Sequence, residues 1–377
     1  MIFDVGSSSV GAALSWLGGE GPPRIIQSVR EPIVLEEKTE FERFLTLTAK
    51  ALEVVAEKIS KSGLGAPQKV FCILSSPWYV SQTRVITIEK NTPLLFTEKI
   101  AKGLVDKEIT LFEEEYRAKY AHPQEKIRTL EVRTIRTSLN GYETPHPFHQ
   151  RAKQFEMTIF ISISPEAVLA RFEEAVRKYF HARKINFASF VMASFIVARD
   201  VFSHEENFLL IDLGGEVTDI SLIKKNTLMG SISYPAGTNF IVRRVAEGIG
   251  VTLPEAISAI SLYKDGHAAG TIAKKLDPVM AELKKQWLSK FQESLANLTN
   301  DISIPSKIFM AVDREYADFF TAIIKTEQFN QYTLTDSKFE IAFLGSEALS
   351  GTTLFGEGVP RDPFIIIEVI CIDRFFH

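Results

Sequence analysis

The length, composition and charge of this chain exclude several classes of protein before any motif is considered. With 377 residues and a mass of 42.3 kDa, the chain suits two or more lobes instead of a single ordinary core. Its formal net charge of -4 argues against a nucleic-acid binder, and its two cysteines exclude a disulfide framework and favour a reducing compartment. No apolar run reaches the roughly 18 to 20 residues that span a bilayer, so we expect a cytoplasmic protein.

The N-terminus predicts a strand that ends in an acid and a small-residue turn. Asp4 lies near the end of an apolar start, and Gly6, Ser7 and Ser8 follow it before an apolar-rich stretch at 10–17. A glycine lets backbone N–H groups approach a ligand closely, and an acid at a strand end can hold a hydrated metal ion. This turn therefore suits a phosphate group with magnesium.

Helix and strand patterns then follow in order. The apolar stripe at 38–61 predicts a helix that crosses back to a parallel strand. Farther along, Ser164 and Pro165 predict an N-cap and the first turn of another helix. The other elements predicted before the middle of the chain are strands at 69–74, 80–88, 127–139 and 155–163 and a helix at 97–119. In the second half, a helix is predicted at 278–298, and the stretch 341–349 predicts a strand that opens into a helix.

The middle of the chain repeats the first pattern. The stretch 208–223 opens with an apolar strand, breaks at Asp212 and two glycines, and resumes as a strand of alternating polar and apolar residues. Taken alone, it is equally compatible with an ordinary glycine-containing hairpin. Both copies continue into a third strand, at 24–29 and 228–234. This repetition indicates an internal duplication, with two related domains that face one nucleotide.

These two turns resemble the phosphate loops of the actin-like ATPase superfamily, and the middle region resembles bacterial FtsA and, more loosely, PilM. The resemblance implies an α/β fold in which a duplicated actin-like (ribonuclease H-like) ATPase core forms two lobes around a nucleotide cleft. In that family the loops read D-x-G-(S/T) and D-x-G-G-G-T-T-D, a pattern from which Glu216 and Val217 depart. The matching positions are Asp4, Gly6, Ser7, Asp212, Gly214, Gly215, Thr218 and Asp219.

The resemblance also divides the chain into three parts. Residues 1–89 would form the core of the first lobe, and residues 186–377 the second lobe with a closing C-terminal helix. Residues 90–185 resemble the SHS2-type α+β module that FtsA and PilM carry. In those proteins the module contacts neighbouring protomers or partner peptides, so we expect it to have an interaction role here.

The resemblance implies ATP and Mg²⁺ as the ligands of the cleft. Asp4 and Asp212 would hold the metal ion through water. In the region that resembles the adenosine site, Ser258 stands where the family has a lysine. The predicted nucleotide-binding residues are Asp4, Gly6, Ser7, Ser8, Asp212, Gly214, Gly215, Thr218, Gly237, Glu255, Gly345 and Ser346.

Glu216 is the candidate catalytic residue, and it has two opposed interpretations. It occupies the position at which the family has a glycine close to the γ-phosphate. A carboxylate at about 4 Å from phosphate charge costs on the order of 1 to 4 kcal/mol, which predicts weak or absent hydrolysis. Alternatively, Glu216 orients the attacking water as a general base.

Three functions remain open for this sequence. The first is an FtsA-like, ATP-binding scaffold for cell division, and the alternative is a PilM-like scaffold for type IV pilus assembly. The third is a sugar kinase or another actin-fold enzyme that uses ATP, although no segment predicts a substrate cleft with a base. As a scaffold, the protein would bind partners of a division or pilus machine, and it would self-associate into dimers or filaments. It would bind no nucleic acid and would reach the inner membrane from the cytoplasm only through its partners.

Overall fold

The computed structural model describes residues 1–19, 21–120, 125–265, 267, 270–298, 304–326 and 338–375. Helices and strands within these residues carry the following labels in chain order: β1 (Ile2–Val5), β2 (Ser9–Trp16), β3 (Arg24–Pro32), α1 (Phe41–Ser60), β4 (Val70–Leu74), β5 (Val80–Leu95), α2 (Glu98–Tyr120), β6 (Ile127–Leu139), β7 (Tyr142–Glu143), β8 (Arg151–Pro165), α3 (Glu166–Arg177), β9 (Ile185–Ser189), α4 (Phe190–Val201), β10 (Phe208–Leu213), β11 (Thr218–Lys224), β12 (Thr227–Tyr234), α5 (Thr238–Ile249), α6 (Leu253–Lys264), α7 (Gly270–Leu298), β13 (Lys307–Val312), α8 (Arg314–Thr326), β14 (Glu340–Phe343), β15 (Leu354–Phe355) and α9 (Pro363–Phe375).

Two of the three sheets in the described residues repeat one topology. The first sheet has the strand order β15-β3-β2-β1-β4-β9, and the second has the order β12-β11-β10-β13-β14. In each sheet an antiparallel hairpin, β1–β2 or β10–β11, lies beside a parallel strand, β4 or β13. The predicted duplication and the α/β actin-like fold class are therefore confirmed.

Apolar helix faces cover both sheets. Helix α1 buries Leu45, Leu52 and Val55 in the core of the first sheet, as the stripe at 38–61 predicted. The second core contains Trp287 and Phe291 of α7, which stack with their ring centroids 5.2 Å apart. The cluster that contains the first sheet also includes Phe208, Leu210 and Phe309 of the second sheet, so the two lobes share buried apolar contacts.

The module predicted at residues 90–185, which we call the insert, forms an antiparallel sheet with the strand order β5-β8-β6-β7. Helix α2 packs on this sheet. The SHS2 type of this module and the domain bounds stay predictions. Strand β5 continues across residue 89, the predicted end of the first-lobe core. Strand β9, which the predicted range placed in the second lobe, pairs with β4 of the first sheet. Helices α4 and α9 also contribute to the core of the first lobe, and both cysteines are buried there.

Three local predictions differ from the structure. Ser164 does not cap α3, because its hydroxyl donates to the carbonyl oxygen of Trp78 at 2.7 Å while strand β8 continues to Pro165. Helix α7 begins at Gly270, so Pro278 lies inside it, although proline favours the first turn of a helix. The predicted helix after β14 is a turn.

Within the described residues, no single helix is long and apolar enough to cross a bilayer, and one pair, α5 and α6, meets that test only when joined across a 99° bend.

Trp78 joins the core of the first lobe to the turn after β1. It is 1% exposed, stacks on Phe44 at a centroid distance of 4.8 Å, and donates from Nε1 to the carbonyl oxygen of Gly6 at 2.9 Å.

We expect Trp78→Ala to lower the free energy of unfolding by about 3–5 kcal/mol, because it leaves a cavity and an unpaired carbonyl. Urea denaturation would measure the change. The matched variant Trp16→Ala removes a side chain that is 72% exposed and should cost less than about 0.5 kcal/mol. Equal losses in both variants would contradict the role given to Trp78.

Candidate functional site

The two sequence-predicted turns lie at equivalent places in the two lobes and have the same geometry. The first turn comprises residues 6–9, between β1 and β2, and the second comprises residues 214–217, between β10 and β11. In the first turn the N–H of Gly6 donates to the carbonyl of Ser9 at 3.2 Å. In the second turn the N–H of Gly214 donates to the carbonyl of Val217 at 3.0 Å. The duplicated pattern in the sequence therefore corresponds to a duplicated local structure.

The two turns are in direct contact with each other. A Cβ added to Gly215 would lie 2.7 Å from both the carbonyl oxygen of Ser7 and the amide nitrogen of Ser8. The N–H of Glu216 donates to Oγ of Ser7 at 3.1 Å. Beside this contact, the acids at the strand ends line a cavity of about 20 Å³, which has room for about one water molecule. The glycine that was predicted to admit a phosphate admits the backbone of the other turn.

The N-terminus of α5 is occupied by the second turn. The first N–H groups of a helix have no partner within the helix and often bind an anion. Here the N–H of Thr238 donates to the carbonyl of Gly214 at 3.0 Å, and that of Asn239 donates to the carbonyl of Gly215 at 2.8 Å. Gly237 permits this contact, because an added Cβ would overlap the same two carbonyls. These N–H groups are therefore used to hold the turn.

Asp4 is paired with an arginine. Its Oδ2 lies 2.6 Å from Nη2 of Arg30, and the side chain of Asp4 is 3% exposed. The same guanidinium donates from Nε to Oδ2 of Asp362 at 2.6 Å and from Nη1 to Oγ of Ser9 at 2.9 Å. Burial raises the pKa of Asp4, and the charge of Arg30 opposes that rise. Arg30 therefore supplies a cation at the carboxylate that was predicted to hold the metal ion.

The environment of Asp212 differs from that of Asp4, which is paired with Arg30. It is buried, and within the described part of the chain no basic side chain forms an ion pair with it. Burial first, and then the charges of Asp219, Asp4 and Asp313, raise the pKa of Asp212 well above its ordinary value. Asp313 begins the segment that follows β13, and its own pKa is raised mainly by burial. The cleft therefore concentrates carboxyl groups around Arg30.

Glu216 is held by four donors in three side chains, of which Oγ1 of Thr39 in the first lobe is the most distant at 3.4 Å. Its carboxylate receives Nη1 and Nη2 of Arg243, each at 2.7 Å, and Nδ2 of Asn239 at 2.8 Å. Nε of Arg243 also donates to the carbonyl of Glu36 in the first lobe at 2.8 Å. In this geometry the carboxylate links the second turn, α5 and the first lobe. A catalytic role for Glu216 stays a prediction.

The other predicted nucleotide-binding residues either form hydrogen bonds near their own position in the sequence or lie outside the cavity between the turns. Oγ1 of Thr218 donates to the carbonyl of Ala236 at 2.8 Å. The carboxylate of Glu255 accepts from the N–H and the hydroxyl of Thr252 at 2.8 and 2.7 Å, which caps α6. A Cβ added to Gly345 would meet no atom within 4 Å, and Ser346 beside it is half-buried. The cavity between the turns is lined by Asp4, Gly6, Ser7, Ser8, Asp212 and Gly214.

Sequence reasoning missed Arg30, Asp362 and Arg243. A signal for Arg30 existed, because it is a charged residue directly after the strand predicted at 24–29 and pairs across the hairpin with Gly11. A Cβ at Gly11 would lie 2.8 Å from Nη2 of Arg30, so the glycine leaves room for the guanidinium. Arg243 gave no local signal, since Glu216 and Glu36 are distant in sequence, whereas Asp362 precedes Pro363 and accepts N–H groups at the start of α9.

The residues of the cleft do not fit Mg²⁺–ATP in this arrangement. Asp4 already has a cation, the turns touch, and the first N–H groups of α5 are occupied. Within the described residues, no group of three or more acidic, histidine or cysteine side chains is placed to hold a metal ion. No phosphate chemistry is therefore assigned to this cleft.

The duplicated sheets and paired turns define the actin-like ATPase fold, whose members generally bind nucleotide with magnesium. Among solved structures, the PilM–PilN type IV pilus biogenesis complex is similar to 98% of this chain and 96% of its own, with 14% identity and a TM-score of 0.56. The ethanolamine utilization protein EutJ from Carboxydothermus hydrogenoformans has 12% identity over 98% of this chain and 87% of its own, with a TM-score of 0.40. The Ppx/GppA family member of Aquifex aeolicus has 10% identity over 98% and 87%, with a TM-score of 0.36. No protein-family model and no curated protein matches the chain.

Asp219 gives the cleft a measurable pH dependence. Burial raises the pKa of Asp219 to about 6, although the hydroxyls of Ser76 and Ser233 donate to its carboxylate. A raised folded-state pKa contributes stability below the unfolded pKa, near 4, and that contribution is lost as the pH rises through 6. We expect Asp219→Asn to gain about 2 kcal/mol in the free energy of unfolding relative to wild type between pH 4 and pH 7. Urea denaturation at both pH values measures this difference, and the exposed Asp106→Asn should show none. If the difference in the free energy of unfolding between Asp219→Asn and wild type is the same at pH 4 and pH 7, the assigned pKa is contradicted.

Proposed function

We propose that this protein is a binding scaffold of a type IV pilus machine that captures an extended segment of a partner protein between its insert and its first lobe. The observation that carries the proposal is a groove of about 600 Å³ along β9 and β6, which we call the insert groove. The fold shared with the protein of the PilM–PilN pilus complex supports the choice of machine. The FtsA-like role in cell division is the alternative that the experiment below distinguishes.

The insert groove has the form of a site for an extended peptide. Strand β9 is the edge of the first sheet, and it pairs with β4 on one side only. An edge strand presents unpaired backbone groups that can pair with an added strand. Glu131 of β6 accepts from the N–H and hydroxyl of Ser189 at 2.7 and 2.6 Å, which closes one end of the groove. The remaining length, along residues 183–187, is available to a short segment.

The charges of the insert groove favour an acidic segment. Of its basic residues, Arg128 pairs with Glu173 at 2.6 Å and Arg177 pairs with the same carboxylate group at 3.3 Å. Arg183 and Lys184 are exposed, and no ion pair of either occurs among the described residues. Two uncompensated positive charges at the mouth of the groove would attract a negatively charged segment and increase its rate of association.

This proposal places the protein in the cytoplasm at the inner membrane, held there by its partner. Self-association into dimers or filaments is a further prediction that this proposal does not require. ATP and Mg²⁺ have no part in it, because the turns that would receive them are in contact.

The expected result is binding of an acidic pilus segment in the insert groove. Labelled synthetic peptides that carry the cytoplasmic segments of pilus-assembly and cell-division membrane proteins from the same genome are titrated with the full chain by fluorescence anisotropy. We expect a pilus peptide to bind, and its affinity to fall at least about tenfold in Arg183→Glu/Lys184→Glu, since like charges then face each other.

The control variant Lys284→Glu/Lys285→Glu makes the same charge change at two exposed positions on α7. It should bind the peptide as wild type does. Binding of division peptides alone would favour the FtsA-like role. Equal binding by both double variants would show that the segment docks elsewhere.

A further inference from the structure

We propose that Arg30 is a resident cation that takes the place of a divalent metal ion in the cleft, so that this protein closes its two lobes without nucleotide. The inference does not rest on the insert groove. It rests on the position of the guanidinium, on the acids around it and on the contacts that join the lobes.

The guanidinium of Arg30 is fixed from several directions. It bridges Asp4 at the end of β1 to Asp362, both at 2.6 Å. Asp362 is itself fixed, because its Oδ1 accepts the N–H groups of Phe364 and Ile365 at the start of α9, at 3.0 and 3.3 Å. The ring of Phe364 lies 5.4 Å from the guanidinium carbon, within the range of a cation–π interaction. Movement of Arg30 would therefore leave two partly buried carboxylates unpaired.

Closure of the lobes brings acids from both sides to this point. Asp4 belongs to the first lobe, and Asp212 and Asp313 belong to the second, yet all three line one small cavity with Arg30. Such acids repel one another when they are buried together, unless a cation lies among them. In the described residues that line this cavity, Arg30 is the single basic side chain. It performs the electrostatic task of a bound cation.

Other hydrogen bonds also join the lobes. Ser7 of the first lobe accepts the N–H of Glu216 at 3.1 Å. Ser76 of the first lobe donates to Asp219 at 2.9 Å. Arg243 of the second lobe donates to the carbonyl of Glu36 at 2.8 Å while it holds Glu216. The donors of these three contacts already have acceptors in the protein, so none of them requires a phosphate.

The test uses Mn²⁺ as a probe of the cation position. Binding is measured as the loss of the electron paramagnetic resonance signal of free Mn²⁺, and Mg²⁺–ATP is titrated separately by calorimetry. We expect wild type to show no saturable binding of either at millimolar concentration. Arg30→Ala should bind Mn²⁺ at least about tenfold more tightly than wild type, and added Mn²⁺ should raise its melting temperature.

Two variants control for charge and for position. Arg30→Lys keeps a cation at the site and should behave as wild type. Arg24→Ala removes an exposed arginine from the same strand, β3, and should gain no Mn²⁺ binding. Saturable binding of Mg²⁺–ATP or Mn²⁺ to wild type would overturn the proposal, and this holds even if Arg30→Ala does not fold. A folded Arg30→Ala that binds no Mn²⁺ would overturn it as well.

Discussion

The contact between the two turns is the constraint on which the rest of the structure depends. Each turn is the end of a central strand, β1 or β10, and one apolar cluster contains residues of both sheets. The approach of Gly215 to the backbone of Ser7 and Ser8 fixes the distance between the ends of these two strands. The same approach brings the acids at the two strand ends into one nearly closed space, where burial disfavours their charged forms.

The contact between the turns also accounts for Glu216, which departs from the family pattern. A glycine at position 216 would leave the second turn without a side chain, whereas Glu216 reaches Arg243 and Asn239 of α5. Its carboxylate does not line the cavity between Asp4 and Asp212. The repulsion that the sequence predicted between Glu216 and a phosphate is therefore replaced by an ion pair that stabilises the closed arrangement. The glutamate has a structural explanation that needs no catalytic role.

The parts of the fold that could be predicted from the sequence are those that local patterns determine. The stripe of α1, the strands around Asp4 and Asp212, and the repetition of the two hairpins depend on residues close in sequence. The partners of the acids depend on tertiary contacts instead. Arg30 and Asp362 are 332 residues apart, and their pairing requires α9 to pack on the first sheet. For this reason the pattern predicted the two turns and the acids near their strand ends, and it did not predict the arginine that pairs with Asp4.

The central claim is that the closed cleft is complete without nucleotide. Hydrogen–deuterium exchange of the wild-type chain tests it most directly, in peptides that cover residues 208–223 and 235–245, with and without millimolar Mg²⁺–ATP. The N–H groups of Glu216, Thr238 and Asn239 already have acceptors in the protein, so we expect slow exchange that Mg²⁺–ATP does not change. Rapid exchange in the free protein that becomes slow with Mg²⁺–ATP would contradict the account, because it would show an open cleft that nucleotide closes.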